Sequence, residues 1–439
     1  MNTLAENPII HVVIPTGGRV DTIGATLLSC HQQTYERMVV WICDNSFEEE
    51  TACIVNSFCD ERFRLIRPKS RLCMAENWEF SIAHLTDGFV TIIGDDDALM
   101  PDCLANVSEV IKAYPDIPII NHLPGNYFWP NYPDPNLANK LQIRPMDFAV
   151  EVVEAKPILA RVCAFTEWYG RLPFLYHGFA SVKHINHIKA KTDSPFFSFC
   201  APDIYSDFVL ALHTDRFVVV NSALTLGGQS ANSNGANYTS KNSIAAQFIS
   251  ELPEHLRFVY ESLSMSLMIY NAIEVAFRTY PEQSHGIDVD FGKLLENAVS
   301  EVRPHGEIAM AELRSKLLLI YPEALVDKAI EITYSTDEVA TDTAEQSASR
   351  LRRIARKLVH LPTRVRSLAA QLLMHKPEAS HLVAVVGSLA KDEGRSLQGD
   401  AVTLSGYLDL SLFNITSVSQ AAWFLDQRIS ELRNRRTSR

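Results

Sequence analysis

The chain predicts an α/β fold with a mostly parallel sheet flanked by helices, followed by a helical C-terminal region. Three observations carry this. Short Val- and Ile-rich runs alternate with helix-length segments between Ile9 and Pro101. Several of those runs end abruptly in Thr, Asp or Gly, the residues of strand-to-helix turns. Beyond about Ser240 the short runs give way to helical periodicity.

In order, Ile9 to Pro15 reads as a buried strand, with Thr16-Gly17-Gly18-Arg19 as the turn after it. Leu27 and Leu28 fall in a helix running to about Gln33. A second strand, Met38 to Cys43, ends in Asp44-Asn45-Ser46, and a helix with an acidic start (Glu48 to Glu50) follows. Phe63 to Ile66 is a third strand and Ala75 to Leu85 a helix. Phe89 to Ile93 is the strand that delivers Gly94-Asp95-Asp96-Asp97, and Pro101 is placed to open the next helix. Alternating strands and helices imply right-handed crossovers and a parallel sheet, which binds ligands beyond the carboxyl ends of its strands. Thr16, Asp44 and the aspartate triplet should therefore converge on one edge, in a site of nucleotide size.

Three adjacent carboxylates repel one another, and a divalent cation relieves that cost. Carboxylate oxygens suit Mg²⁺ or Mn²⁺, which commonly share a site with phosphate oxygens. Alone, the triplet reads equally well as a solvated acidic turn favoured by a helix dipole. The ordered set decides between them. Val13-Ile14-Pro15-Thr16 with Arg19, Gln33-Thr34-Tyr35, Asp44-Asn45-Ser46, Asn77, Asp87-Gly88-Phe89-Val90, and Gly94-Asp95-Asp96-Asp97 with Pro101 together resemble family 2 glycosyltransferases of the GT-A fold, a Rossmann-like sheet carrying a DXD motif. The resemblance covers about residues 8 to 235.

The resemblance implies transfer of a sugar from a nucleoside-diphosphate sugar, expected to be a UDP-sugar, to a hydroxyl of a glycan or lipid-linked glycan. It implies Mn²⁺ or Mg²⁺, inversion at the sugar carbon, and a role in surface polysaccharide biosynthesis. Carried over by residue, Thr16 and Asp44 would contact the base, and Arg19 and Arg71 lie near the nucleotide. Asp95 would approach the ribose or donor sugar, and Asp96 would bind the metal, with Asp97 able to share either duty. The catalytic base would come from a later Asp at a helix start. The best match is Ala201-Pro202-Asp203, with Asp207 one turn on. Tyr176 and His177 fall where such enzymes build the acceptor site. One departure is that Leu226-Gly227-Gly228-Gln229-Ser230 stands, after the last sheet strand, where the family commonly has a metal-binding His.

Other features have two readings each. His184 and His187 share a helix face, but zinc needs more ligands, so ordinary structural histidines are expected. The aromatic segment Asn121 to Asn136 suits either sugar rings or packing on its own domain, and Ser230 to Asn237 has the composition of a mobile loop. A formal charge of −12 argues against nucleic acid. Eight Cys residues without a CxxC pair suggest reduced thiols, with Cys43 and Cys53 expected to be buried. The polar stretch Met1 to Asn7 has no signal-peptide pattern, and no apolar run approaches a membrane span.

Leu256 to Phe277, Phe291 to Val302, Met310 to Ile320 and Ala324 to Thr333 read as helices, and Ser335 to Ser349 as a linker. Arg350, Arg352, Arg353, Arg356 and Lys357 flank an apolar stripe of Leu351, Ile354, Ala355 and Leu358, and Arg364 and Arg366 continue the basic theme. Such a segment, 350–366, suits either an anionic membrane surface or packing on the core with a solvated basic face. The expected organisation is 1–240 catalytic, 241–345 helical, and 346–439 basic helix with C-terminal segment. The expected location is cytoplasmic, peripheral at the inner face of the membrane, with homo-oligomerisation left open. Two rivals to the enzyme stand: a degenerate GT-A module that binds sugar nucleotide or glycan without turnover, and, more distantly, a nucleotidyltransferase.

Overall fold

The structure is a computed structural model that describes residues 7–143, 146, 148–233, 264–335, 406–410 and 415–437. The linker after Ser335, the basic segment 350–366, the start of the Leu256 helix and the second half of the Ser230 to Asn237 loop lie outside these residues.

The first half alternates as the sequence predicts: β1 (Ile10–Thr16), α1 (Val20–His31), β2 (Met38–Asp44), α2 (Glu49–Ser57), β3 (Phe63–Ile66), α3 (Met74–Ile82) and β4 (Phe89–Ile92). β1 pairs in parallel with β2, from Ile10 opposite Met38 to Thr16 opposite Asp44, and on its other side with β4. Ile10, Val12 and Ile14 point into one hydrophobic cluster and Val13 into another. Both faces of the strand are covered, which is why its sequence is continuously apolar rather than alternating.

The chain continues through β5 (Ala98–Leu99), α4 (Cys103–Ala113), β6 (Ile119–His122), β7 (Gly125–Phe128), β8 (Lys140–Ile143), β9 (Val150–Glu154) and α5 (Ala155–Cys163). Then come β10 (Phe179–Ser181), α6 (Val182–Lys189), α7 (Pro202–His213), β11 (Arg216–Val220) and β12 (Thr225–Gln229). The main sheet has the order β3-β2-β1-β4-β10-β6-β11-β9. β10 and β9 run antiparallel to their neighbours, and the rest are mutually parallel.

A second sheet, absent from the sequence expectation, joins β5, β12, β7 and β8 to β13 (Gly406–Asp409). Leu226 to Gln229, expected after the last strand, thus forms part of β12 itself, in parallel register with Gly125 to Phe128. Pro101 does not open a helix: α4 starts at Cys103 with Asp102 as its N-cap, because Ala98 and Leu99 first pair with β12. Cys43 is buried as expected, whereas Cys53 is exposed on α2.

In the next described residues, α8 (Met265–Thr279) is capped by Ser264, whose hydroxyl accepts from the Leu267 N–H. Its Ala272, Ile273 and Ala276 share the cluster containing Tyr205 and Phe208 of α7. α9 (Phe291–Val302), α10 (Glu307–Leu317) and the helix α11 at 323–335 enclose a separate core of Leu295, Val299, Leu313, Leu317 and Val326. The last helix, α12 (Val418–Thr437), returns to the first domain. Val418, Ala421 and Leu425 are buried in the cluster that holds Leu27, Cys30 and Leu226.

Candidate active site

The carboxyl ends of β1, β2 and β4 bring Thr16, Asp44 and Asp95-Asp96-Asp97 to one edge of the sheet. Asp95 and Asp97 are fully buried and Asp96 nearly so. Burying carboxylates is costly unless each finds a partner, and the three are partnered differently.

Asp95 accepts a hydrogen bond from Thr16 Oγ1 at 2.5 Å, and its Oδ1 lies 2.8 Å from Arg19 Nε. Burial pushes its pKa up while Arg19 pulls it back. Asp96 Oδ2 accepts from Arg19 Nη1 at 3.0 Å, Ser230 Oγ at 2.8 Å and Ser233 Oγ at 2.5 Å. Asp97 faces inward. Its Oδ2 accepts from Tyr176 Oη at 2.7 Å and from the Gly94 N–H, and its Oδ1 from the Gly228 N–H at 2.7 Å. Burial and then Asp96 push the Asp97 pKa up against these donors.

Two glycines make this closeness feasible. A Cβ on Gly228 would lie 1.7 Å from the Asp96 carbonyl oxygen. Gly18 turns the chain after β1 at φ 92°, and a Cβ there would meet Ser46 at 2.6 Å. That Asp96 carbonyl also accepts from Trp129 Nε1 at 3.0 Å. Tyr127, Phe128 and Trp129 are buried, so these aromatics of the 121–136 segment pack on their own domain.

A cavity of about 470 Å³ opens above the strand ends. Its lining includes Thr16, Arg19, Arg71, Asp96, Tyr176 and Asp203. Asp203 sits in the first turn of α7 beside Pro202 at the helix start. No side chain among the described residues donates to it. Burial raises its pKa, and the N–H groups of Ile204 and Asp203 hold it down in part. Asp207, one turn on, does not line the cavity. It is buried, its Oδ1 has no hydrogen-bond partner, and burial then Asp203 raise its pKa well above the ordinary carboxylate value.

The structure thus gathers Thr16, Arg19, Arg71, Asp96, Tyr176 and Asp203 around one cavity, with Asp95 and Asp97 beneath it. Asp44 is present but engaged: Oδ1 accepts from Ser46 N–H at 2.9 Å and Ser46 Oγ at 2.5 Å, and Oδ2 from Arg67 Nε at 2.9 Å. His177 lies behind the wall, sharing a 2.8 Å hydrogen bond between Nδ1 and Thr225 Oγ1, with Nε2 3.4 Å from Asp97 Oδ2. Its φ of 71° is unusual for a non-glycine residue, and burial lowers its pKa to about 4, which keeps the ring neutral at pH 7. His184 bonds Thr214 Oγ1 at 2.9 Å.

Residues to which the sequence reading gave no role complete the site. Arg67 holds Asp44, and Trp78 and Tyr169 add aromatic lining. Asn45 pins the Arg71 loop through both the N–H and the C=O of Leu72. Ser230 and Ser233 stand where a metal-binding His was missed. Their signal, two Ser after a Gly-Gly strand, is too common to read alone.

Among the described residues no group of three or more His, Cys, Asp or Glu is arranged to hold a metal ion by itself. The cavity nonetheless fits an ion shared with a diphosphate. Asp96 Oδ1 takes no donor among the described residues, and Mg²⁺ or Mn²⁺ needs only one or two carboxylates when phosphate oxygens complete its shell. No described helix is long and apolar enough to cross a membrane.

Residues 11–176 match the family model described as Glycosyl transferase family 2. No curated protein matches the chain. Among solved structures, TarS 1-349 from S. aureus in complex with UDP-GlcNAc is similar over 75% of this chain and 91% of that chain, with 13% identity and a TM-score of 0.44. The mannosyltransferase PcManGT from Pyrobaculum calidifontis, in complex with GDP-Man and Mn²⁺, is similar over 75% of this chain and 88% of that one. It shares 14% identity, with a TM-score of 0.38.

Proposed function

We propose, from the match of residues 11–176 to the glycosyl transferase family 2 model, that the chain moves a sugar from a nucleoside-diphosphate sugar, of which a UDP-sugar is the expected form, to an acceptor hydroxyl. The observation that carries this reading is the shared cavity. Asp96, with a carboxylate oxygen to offer, and Asp203, an acid at a helix start, line the same space.

In this reading the diphosphate lies over Asp96, flanked by Arg19 and Arg71. When bound, a Mn²⁺ or Mg²⁺ ion supplies Lewis-acid stabilisation to the charge that grows on the leaving diphosphate. Asp95 fixes Arg19 and Thr16, and Asp97 fixes the Gly94 and Gly228 backbone and Tyr176, so that Asp96 is presented in one orientation. Asp203 is the general base. It takes the acceptor hydroxyl proton as that oxygen bonds to the sugar carbon and the bond to the diphosphate breaks, its electron pair leaving with the phosphate. One base facing the donor suits a single displacement, hence inversion.

Tyr169, Trp78 and Tyr176 offer aromatic faces for the sugars, with His177 supporting the wall from behind. Asp203 also favours the enzyme over a module that only binds, since binding needs no base. The acceptor class we assign is a glycan or lipid-linked glycan of a surface polysaccharide. The basic segment 350–366 supports it, as a peripheral contact with anionic lipid would hold the enzyme beside such an acceptor.

The test is Asp203→Asn. Nucleotide binding measured by calorimetry should persist while transfer falls by about 10²–10⁴-fold. Full activity in that variant contradicts the assignment of the base.

A further inference from the structure

Arg19 sits where it need not be if the aspartate triplet were simply an open cation site. Its guanidinium forks between two carboxylates, Nε at 2.8 Å from Asp95 Oδ1 and Nη1 at 3.0 Å from Asp96 Oδ2. The side chain is only 26% exposed, yet it lines the cavity. Thr16 occupies the other oxygen of Asp95, and Tyr176, Gly94 and Gly228 occupy Asp97. Among the described residues two oxygens of the triplet therefore take no hydrogen bond: Asp95 Oδ1, buried with Arg19 Nε 2.8 Å away, and Asp96 Oδ1, which belongs to the one aspartate of the three that lines the cavity.

We propose that Arg19 is a resident counter-cation that closes the aspartate cluster to a free divalent ion, so that the ion enters only together with a nucleoside diphosphate. This rests on the donor reading above and adds an order of binding to it. The physical argument is charge balance. Arg19 already neutralises one of the two negative charges of Asp95 and Asp96. A lone dication approaching Asp96 meets that guanidinium at short range in a poorly solvated site, where like-charge repulsion is weakly screened.

A diphosphate reverses the balance. It brings several negative charges, supplies the remaining oxygen ligands, and gives the Arg19 fork phosphate oxygens to pair with in place of a carboxylate. Ser230 and Ser233 continue to hold Asp96 Oδ2 through any such exchange, which keeps Oδ1 directed for the ion.

The experiment is calorimetric titration of Mn²⁺ into the full-length protein, alone and with saturating UDP or GDP, for the wild type, Arg19→Gln and Arg19→Lys. The wild type should bind Mn²⁺ alone at least about tenfold more weakly than with the preferred nucleotide. Arg19→Gln should gain about tenfold or more in affinity for Mn²⁺ alone, and Arg19→Lys, which keeps the charge, should stay near wild type. Equal Mn²⁺ affinity with and without nucleotide in the wild type overturns the proposal, as does an Arg19→Gln variant that gains nothing. Should Arg19→Gln fail to fold, the wild-type comparison decides alone. Absence of Mn²⁺ and nucleotide binding under every condition overturns the donor reading as well, so the two failures are distinguishable.

Discussion

At the residue scale, the aspartates divide their labour by their partners. Of the triplet, Asp96 is the member that lines the cavity, so Asp96→Ala should abolish the Mn²⁺-dependent part of UDP affinity in calorimetry; unchanged affinity contradicts the metal assignment. Asp203 must be an anion to act as base. Because burial raises its pKa, the acid limb of the rate profile should fall above the ordinary Asp value of about 3.9, with rate rising as pH rises through it. Asp207, whose pKa is raised in the same direction, gives a stability readout that runs the opposite way with pH. Its folded-state pKa lies above its unfolded value, so its contribution is present below the unfolded pKa and is lost as pH rises through the folded one. Asp207→Asn, neutral at every pH, should therefore gain thermal stability relative to wild type as pH increases, and a pH-independent difference in Tm contradicts this. The positions of Asp96 and Asp203 were legible in the sequence because strand ends and helix starts are local features. The engagement of Asp44 by Arg67 and of Asp97 by Tyr176 was not. Tyr176 lies 79 residues from Asp97 along the chain, and no local pattern records such a pairing.

At the element scale, β12 is the part least visible in the sequence and the most demanding in the structure. The sequence sets Gly227-Gly228 after the last expected strand, and glycine is poor strand material. In the fold, Gly228 permits the backbone to pass against the Asp96 carbonyl and donate to Asp97, 131 residues away. Gly228→Ala should destabilise the protein by about 1–3 kcal/mol, the usual range for overpacking, and weaken nucleotide binding along with it. Denaturant unfolding and calorimetry on one preparation check both, and unperturbed values in the two measurements contradict the close approach. The helices of the first half were legible to within a few residues, since their apolar stripes are set by packing on a sheet that the same sequence specifies. The start of α4 was not, because the pairing of β5 with β12 delays it past Pro101.

At the scale of the whole molecule, the C-terminal strand and helix belong to the core of the half that carries the cavity. β13 extends the second sheet beside β8, and Leu410, Val418 and Leu425 are buried in the same cluster as α1 and β12. Leu425→Ala should cost about 2–5 kcal/mol, as for other buried leucines, and lower Tm accordingly. It follows that removing everything after 349 would confuse membrane contact with loss of core. Reversing the charges of Arg350, Arg352, Arg353 and Arg356 separates them: co-sedimentation with anionic vesicles should drop while Tm holds, and equal sedimentation contradicts the membrane contact. The most direct test of the central claim is a panel of nucleoside-diphosphate sugars offered to the full-length protein with Mn²⁺, reading release of the nucleoside diphosphate. One donor should be turned over, with activity lost on chelation and in Asp96→Ala; no binding or turnover of any donor, with or without metal, contradicts the account.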